Sequence, residues 1–325
     1  MKEKILAFLK AKQEYCSGEE ISQKLGVTRS AVWKNIKKLK SDGYEILSST
    51  KKGYYLVQTP NIITETEIKE QLRTKVLGQT IYYKDEIDST NNKAKELARK
   101  GAKEGTLVVA DQQTSGKGRL GRVWESPAGT GIWMSIILRP NILPQYASQI
   151  TLVAGLDMCE AIQEVTGLNA MIKWPNDVVV GGKKVCGILT EMSAEIEGIN
   201  YIVVGIGVNV NMKHFPETLP YASSLVLQGG KEYSRKEIIT NFLERFEKDY
   251  EQYKVKPDLE ALQKRYERNC INLHKKVKLV RKSGEVVAEA IGINKEGELC
   301  VKYEDGTEET VLSGEVSVRG LYGYI

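Results

Sequence analysis

Residues 113–124 read QTSGKGRLGRVW, with Lys117, Arg119 and Arg122 set among Gly116, Gly118 and Gly121. Glycine lacks the Cβ that keeps a backbone at a distance, so this loop can wrap closely around a ligand. The interleaved cations make that ligand an anion, with phosphate the first candidate. The three glycines also satisfy G-x-G-x-x-G, the spacing of a dinucleotide-binding turn. That reading requires a helix after the loop and a carboxylate about 20 residues further on. Pro127, Gly129 and Gly131 stand where the helix would run, and Arg139-Pro140-Asn141 where the acid would sit. The dinucleotide reading therefore fails. Side chains, in place of a helix dipole, must supply the positive charge.

The rest of the composition narrows the chemistry. There are only two histidines, His214 and His274, and five cysteines, Cys16, Cys159, Cys186, Cys270 and Cys300, lie far apart with no C-x-x-C. Zinc sites, a disulfide framework and Ser-His-Asp or Cys-His catalysis are thereby disfavoured, leaving Lys, Arg and backbone groups to act. The chain carries a formal net charge of +5, yet residues 1–57 alone hold 12 Lys/Arg against 6 Asp/Glu. A basic head on a near-neutral body points to a polyanion partner for the head. No apolar run is long enough to span a bilayer and the first residues carry no cleavage signal. A cytoplasmic protein with no membrane partner is expected.

These residues need elements to hold them. In the head, a helix over about Lys4–Lys12 precedes Ser17-Gly-Glu-Glu20, a capping box that opens a second helix ending at Gly26. Thr28 caps a third helix running to about Lys40. Val32, Ile36 and Leu39 face inward on it, while Arg29, Ser30, Trp33, Lys34, Lys37 and Lys40 share the opposite face. Two short strands follow, joined by a tip with Lys51, Lys52 and Gly53. This order predicts a winged helix-turn-helix whose third helix enters a major groove while the wing lysines meet phosphates. The bland alternative is a small helical domain with a solvated charged face.

A linker with Pro60 leads to a second capping box, Thr64-x-x-Glu67, and a helix ending near Arg73. Strands such as TLVVADQ, GIWMSIILR and NYIVVGIGVNV then mix with helices near 91–100, 148–166 and 235–254, the last opened by Ser234-x-x-Glu237. Because strands cluster instead of alternating with helices, the central part reads as α+β around a mixed sheet. From about His274, short alternating strands separated by KSGE, KEGE, EDGT and LSGE predict a small antiparallel, SH3-like β-barrel. The expected organisation is multidomain α+β: a winged helix-turn-helix and linker (1–63), a central catalytic domain (64–272) and the barrel (273–325).

Four stretches in order, QTSGKGRLGR, KWPNDV (Lys173–Val178), GGKKVCGILTE (Gly181–Glu191) and GIGVNV (Gly205–Val210), resemble the motifs of biotin–protein ligases. The resemblance covers essentially the whole chain. The basic head makes it similar to the bifunctional subtype, which ligates biotin and represses biotin-synthesis genes. The resemblance implies a central domain like the class II synthetases and a two-step reaction on biotin and ATP with Mg²⁺. Biotinyl-5′-AMP forms first, and biotin then passes to a lysine of a biotin carboxyl carrier protein of acetyl-CoA carboxylase.

By the same resemblance Lys184 lies between the biotin carboxylate and the α-phosphate, with Arg119 and Arg122 as partner catalytic cations. Lys117 replaces a more usual arginine, which keeps the charge and loses a bidentate fork. Ser89, Thr90, Asn91, Gln113, Gly116, Lys117, Arg119, Lys184, Gly187, Ile188 and Leu189 are the implied biotin-binding residues. Ser89 or Thr90 could equally serve only as a helix cap. Arg119, Arg122, Trp124, Asp177, Asn209 and Arg319 are implied at the nucleotide, with Asp177 a ribose or Mg²⁺ contact. Lys173 and Asn176 either shape the KWPND turn or touch ligand. Segment 211–225 is the expected adenylate-ordered loop and lacks the tryptophan found there in some members. Arg29, Ser30, Trp33, Lys34, Lys37, Lys51 and Lys52 are the expected DNA contacts, to an inverted-repeat operator bound by a homodimer that biotinyl-AMP promotes. The competing readings are a metabolite-sensing repressor without ligase activity and a lipoate-type ligase.

Overall fold

In the computed structural model, residues 1–58, 60–195, 198–281, 284–313, 317–320 and 324–325 are described. The chain divides into two units, Met1–Ile62 and Ile63–Ile325. The first unit holds helices α1 (Lys2–Lys12), α2 (Gly18–Leu25) and α3 (Arg29–Ser41), followed by the antiparallel pair β1 (Glu45–Ser49) and β2 (Gly53–Gln58). The expected caps form: Ser17 Oγ accepts from Glu20 N at 3.0 Å and Thr28 Oγ1 from Ala31 N at 3.2 Å. Gly26 ends α2 at φ 65°, where a side chain would be strained. The Glu20 carboxylate pairs with Lys12 at 2.9 Å, so the second half of that capping box is spent on joining α1 to α2. Ile5, Leu9, Ile21, Val32, Ile36 and Leu39 close a core of their own.

The second unit begins with α4 (Glu65–Gln71). Its expected capping box does not form, because the Thr64 side chain makes no cap bond and buried Glu67 instead takes Lys236 at 2.9 Å. The chain continues through β3 (Ile81–Ile87), α5 (Thr90–Arg99), β4 (Leu107–Gln113), β5 (Gly131–Leu138) and α6 (Gln149–Thr166). It then forms β6 (Ala170–Lys173), β7 (Asp177–Val180), β8 (Lys183–Glu195) and β9 (Gly198–Asn209). These seven strands make one sheet in the order β3-β4-β5-β9-β8-β7-β6, with only β3–β4 parallel. Every residue of β5 is buried, which explains its unbroken apolar run. Helix α5 covers one face through Ala94 and Ala98 against Val108, Ile137 and Val203. The other face packs on α6 and on a helix further along the chain.

After α7 (Leu225–Gly229), that long helix is α8 (Arg235–Val255), capped by Ser234 as its sequence predicts, and α9 (Gln263–Asn269) follows. The last strands are β10 (Lys275–Arg281), β11 (Gly284–Ile293), β12 (Leu299–Lys302), β13 (Glu308–Val311) and β14 (Ser317–Gly320). They form an antiparallel sheet in the order β13-β12-β11-β10-β14. Its apolar residues, Val277, Leu279, Ala290, Val301 and Val318, join the core of the seven-stranded sheet, and β14 is thereby brought to the KWPND turn. Among the described residues no helix is long and apolar enough to cross a membrane.

Candidate functional site

The KWPND turn between β6 and β7 is a junction in which each polar side chain has a separate task. Lys173 donates from Nζ to the Val318 carbonyl of β14 at 2.9 Å. Trp174 is buried, donating its backbone N–H to Asn272 Oδ1 (2.8 Å) and its indole N–H to Gly297 O (3.1 Å). Asn176 bonds the β8 backbone in both directions at Ile188, through its carbonyl at 2.9 Å and its Nδ2 at 3.1 Å. Its Oδ1 also accepts from Arg119 at 2.7 Å. Asp177 starts β7 opposite Gly187 and meets Lys184 Nζ at 2.6 Å through Oδ1, while its Oδ2 accepts from the Tyr324 hydroxyl.

The glycine loop folds back over this junction. No helix follows it; a single 3-10 turn covers Arg119–Gly121, with Leu120 at φ 56°. That left-handed geometry is costly for leucine. It turns Arg119 inward while Leu120 stays 80% exposed. The Arg119 guanidinium bridges Asn176 and the Ser313 carbonyl (3.0 Å), and burial pushes its pKa below the usual range despite the Asp177 charge. Arg122 is exposed, and Lys117 reaches Asn92 Oδ1 at 2.8 Å.

Behind the loop lies a hydrogen-bonded network of mostly neutral side chains, anchored on the Glu191 carboxylate. Ser89 caps α5, accepting from Asn92 N at 3.5 Å. Thr90 donates from its N–H and hydroxyl to Gln113 Oε1 at 2.8 and 3.1 Å, and Gln113 Nε2 donates to Ser126 at 2.8 Å. Asn91 donates to Glu191 at 2.8 Å, and its Oδ1 lies 2.6 Å from Ser135 Oγ. Its amide sits directly on Gly205, where any Cβ would overlap it. Two residues along the same face of β9, the Trp124 ring lies on Gly207, 2.5 Å from where a Cβ would stand, and on Gly187 of β8. Alternating glycines thus leave room above the strand for the Asn91 and Trp124 side chains. Lys184 Nζ stands 5.3 Å from the Trp124 ring centroid, and the indole N–H is buried with no acceptor among the described residues. A buried donor of that kind is costly unless a ligand or a ring movement satisfies it.

Many of these groups line one cavity of about 690 Å³. It gathers Ser89, Thr90, Asn91, Gln113, Lys117, Arg119, Arg122, Trp124, Asp177, Lys184, Gly187, Ile188, Leu189, Asn209 and Arg319. Gly116 is the sequence-expected residue that lies outside the lining: it supports the loop from below, accepting from Trp124 N at 2.9 Å. Asn209 is buried, with Nδ2 donating to Ser223 O at 3.0 Å. The cavity also contains Tyr221 and Tyr324, whose rings stack at 4.8 Å and 6°, and Tyr324 was invisible to motif reading. Its only signal was an aromatic run near the end of the sequence. Lys173 is pushed down to about 8, chiefly by desolvation, with Asp177 opposing and Lys184, Arg319 and Arg119 reinforcing the shift. Among the described residues no group of three or more His, Cys, Asp or Glu could hold a metal.

In the first unit, Arg29, Ser30, Trp33, Lys34, Lys37, Lys51 and Lys52 are all exposed. Trp33 is 59% exposed, with Lys37 Nζ 5.5 Å from its ring centroid. The wing lysine Lys52 lies 5.6 Å from the centroid of Tyr15, which packs on Tyr55 of β2. Buried Val32, Ile36 and Leu39 fix the orientation of α3 and hold its cationic face outward.

Three family models match the chain: an HTH domain at residues 2–55, the biotin/lipoate A/B protein ligase family at 83–209, and a biotin protein ligase C terminal domain at 273–319. The bifunctional ligase/repressor BirA of Bacillus subtilis is 40% identical over 98% of both chains. The Escherichia coli protein of the same name is 30% identical over 97% of this chain and 96% of its own. A biotin protein ligase from Aquifex aeolicus, solved with biotin and ATP, shares 33% identity over 74% of this chain and 99% of its own, with a TM-score of 0.65. With 40% identity sustained along nearly its whole length, the chain belongs to the biotin/lipoate protein ligase family, in its bifunctional ligase/repressor branch.

Proposed function

We propose that this protein is an ATP-dependent biotin–protein ligase that also represses transcription in response to biotin. The observation that carries this reading is the make-up of the cavity: a neutral hydrogen-bonding end built by Thr90, Asn91 and Gln113 runs into a wall of six cations, Lys117, Arg119, Arg122, Lys173, Lys184 and Arg319. The neutral end suits a ureido ring, which has both donor and acceptor edges. The cationic wall suits a carboxylate beside a triphosphate. A repressor that only sensed biotin or its adenylate, without ligating, would not need the full set of Lys184, Arg119 and Arg122.

In the first step a biotin carboxylate oxygen attacks the α-phosphorus, the bond to the β-phosphate oxygen breaks, and pyrophosphate leaves with the electron pair. Two anions must approach, so electrostatic stabilisation dominates over proton transfer. Lys184, held by Asp177, is placed to bridge carboxylate and α-phosphate, and Arg119, fixed by Asn176, to share the phosphate charge. Arg122 and Arg319, exposed at the rim, serve the outgoing phosphates, while Asn209 and Trp124 serve the adenine side. In the second step a carrier-domain lysine amine attacks the acyl carbon, the C–O bond to AMP breaks, and the amine proton passes to solvent. With no cluster of three or more metal-binding side chains among the described residues, Mg²⁺ would travel on the triphosphate and meet Asp177, screening phosphate charge.

The exposed face of α3 and the wing lysines suit a major groove and its flanking phosphates. A homodimer, favoured when biotinyl-AMP orders the glycine loop and segment 211–225, would match an inverted repeat. Labelled biotin incubated with ATP and a biotin carboxyl carrier domain tests the ligase directly. ATP-dependent transfer to the carrier lysine is expected, and its absence, or equal transfer of lipoate, would overturn the reading.

A further inference from the structure

Asp177 is held from both sides: Lys184 Nζ stands 2.6 Å from Oδ1, and the Tyr324 hydroxyl donates to Oδ2. The phenol is itself firmly placed. Its ring stacks on Tyr221 at 4.8 Å, with Lys173 Nζ 4.1 Å from its centroid. Ile325 beside it fills the space where Gly320 and Gly182 lack side chains, Cδ1 lying 2.8 Å from a Cβ built on Gly182. Tyr221 is tied in turn to the strand carrying the cation, since its carbonyl accepts from Lys184 N at 2.8 Å. Tyr324, Asp177, Lys184 and Tyr221 therefore form a closed circuit through the cavity wall. At this contact the buried phenol is the donor and the carboxylate oxygen the acceptor.

A carboxylate turns readily about its last bond, and the charges around Asp177 offer it other partners. Arg119 and Lys173 are both near enough to feel its charge. A hydrogen bond from a fixed phenol removes that freedom and supplies one charge-assisted contact. It fixes the direction from which the other oxygen, ion-paired to Lys184 Nζ and without a hydrogen bond of its own among the described residues, faces that ammonium.

We propose that Tyr324 is a positioning residue for adenylation: its hydroxyl orients Asp177, and Asp177 in that orientation sets the place of the Lys184 ammonium. This rests on the assignment of Lys184 to the first step. A displaced cation costs rate because the transition state needs it to within a fraction of an ångström, and misplacement by about 1 Å can cost ~10²-fold.

The test is biotin-dependent pyrophosphate–ATP exchange by the full chain. Tyr324→Phe, which keeps the ring stack, lowers kcat about tenfold with KM for biotin within about twofold, as loss of positioning alone would do. In an Asp177→Asn background the same change adds less than about twofold, because the two residues act as one unit. A wild-type kcat for Tyr324→Phe, a change confined to KM, or an equal loss in both backgrounds overturns the proposal. Thermal unfolding midpoints of the two Tyr324 forms should agree; if the rate loss only follows a lowered midpoint, a structural role replaces the positioning one. Lys184→Ala separates the underlying assignment: a wild-type rate there removes Lys184, and Tyr324 with it. A slowed Lys184→Ala beside an unaffected Tyr324→Phe overturns Tyr324 alone.

Discussion

The two units use lysine and arginine in opposite ways. On α3 and the wing, Trp33, Lys34, Lys37, Lys51 and Lys52 stand in solvent, carried on a core of Val32, Ile36 and Leu39 that never touches the charge. In the cavity, Lys173 is buried, Arg119 spans Asn176 and the Ser313 carbonyl, and Lys184 is locked to Asp177. Water and salt screen the first set, so each charge contributes a small share to a sum over many phosphates. The second set works in an enclosed, lower-dielectric space, where Lys173 and Lys184 are held by partners on the strands before any ligand arrives. On the proposed function, one residue class would thus serve a long polymer at the surface and a single reacting bond inside.

The difference fixes the size of each substitution effect. Lys184→Ala should give the largest loss, slowing single-turnover formation of biotinyl-AMP by ~10²–10³, as for loss of one preorganised transition-state donor. An unchanged rate would place the cavity cations in the same weak, additive class as those of the surface. Next comes pH. Lys173, at about 8 in the folded chain against its ordinary 10.5, loses its charge as pH rises through about 8. KM for ATP should therefore climb several-fold between about pH 7 and 9, and Lys173→Gln should flatten that rise. Stability runs the other way. Between the two values the unfolded chain holds more protons than the folded one, so the Lys173 contribution to folding becomes more favourable as pH rises through that window. A KM that stays level to pH 9 would show that Lys173 only fastens the KWPND turn to β14. The smallest effects belong to the head. Lys34→Ala or Lys37→Ala should each lower the slope of log affinity against log salt by about 0.9 while leaving adenylation untouched.

Which features could be read from the sequence follows the same division. The caps by Ser17, Thr28 and Ser234 depend on neighbours within one helical turn, and they form as expected. Thr64 has the same local pattern, yet Glu67 is drawn away to Lys236 of α8, a partner 169 positions distant that no local rule supplies. The cationic loop was legible because glycine and arginine alternate within nine residues, and the missing helix after Arg122 could be foreseen from Pro127 and Gly129. Asp177 was legible as a candidate that lines the cavity, but not its engagement by Lys184 and Tyr324, which requires β7, β8 and the last residues to meet in space. Gly205 and Gly207 were visible as part of a motif. Their reason, space for Asn91 and Trp124, became visible only with α5 and the glycine loop in place.

The contrast between the two sets of cations is tested most directly by one salt series on the full chain. Operator-duplex affinity and the single-turnover adenylation rate at saturating biotin and ATP would be measured together from about 50 to 200 mM salt. Affinity should fall by at least about tenfold across that range, following the number of phosphates neutralised, while the rate of the fixed site changes by less than about threefold. A parallel fall of both would contradict the account, because it would mean that the cavity cations are as open to screening as those on α3 and the wing.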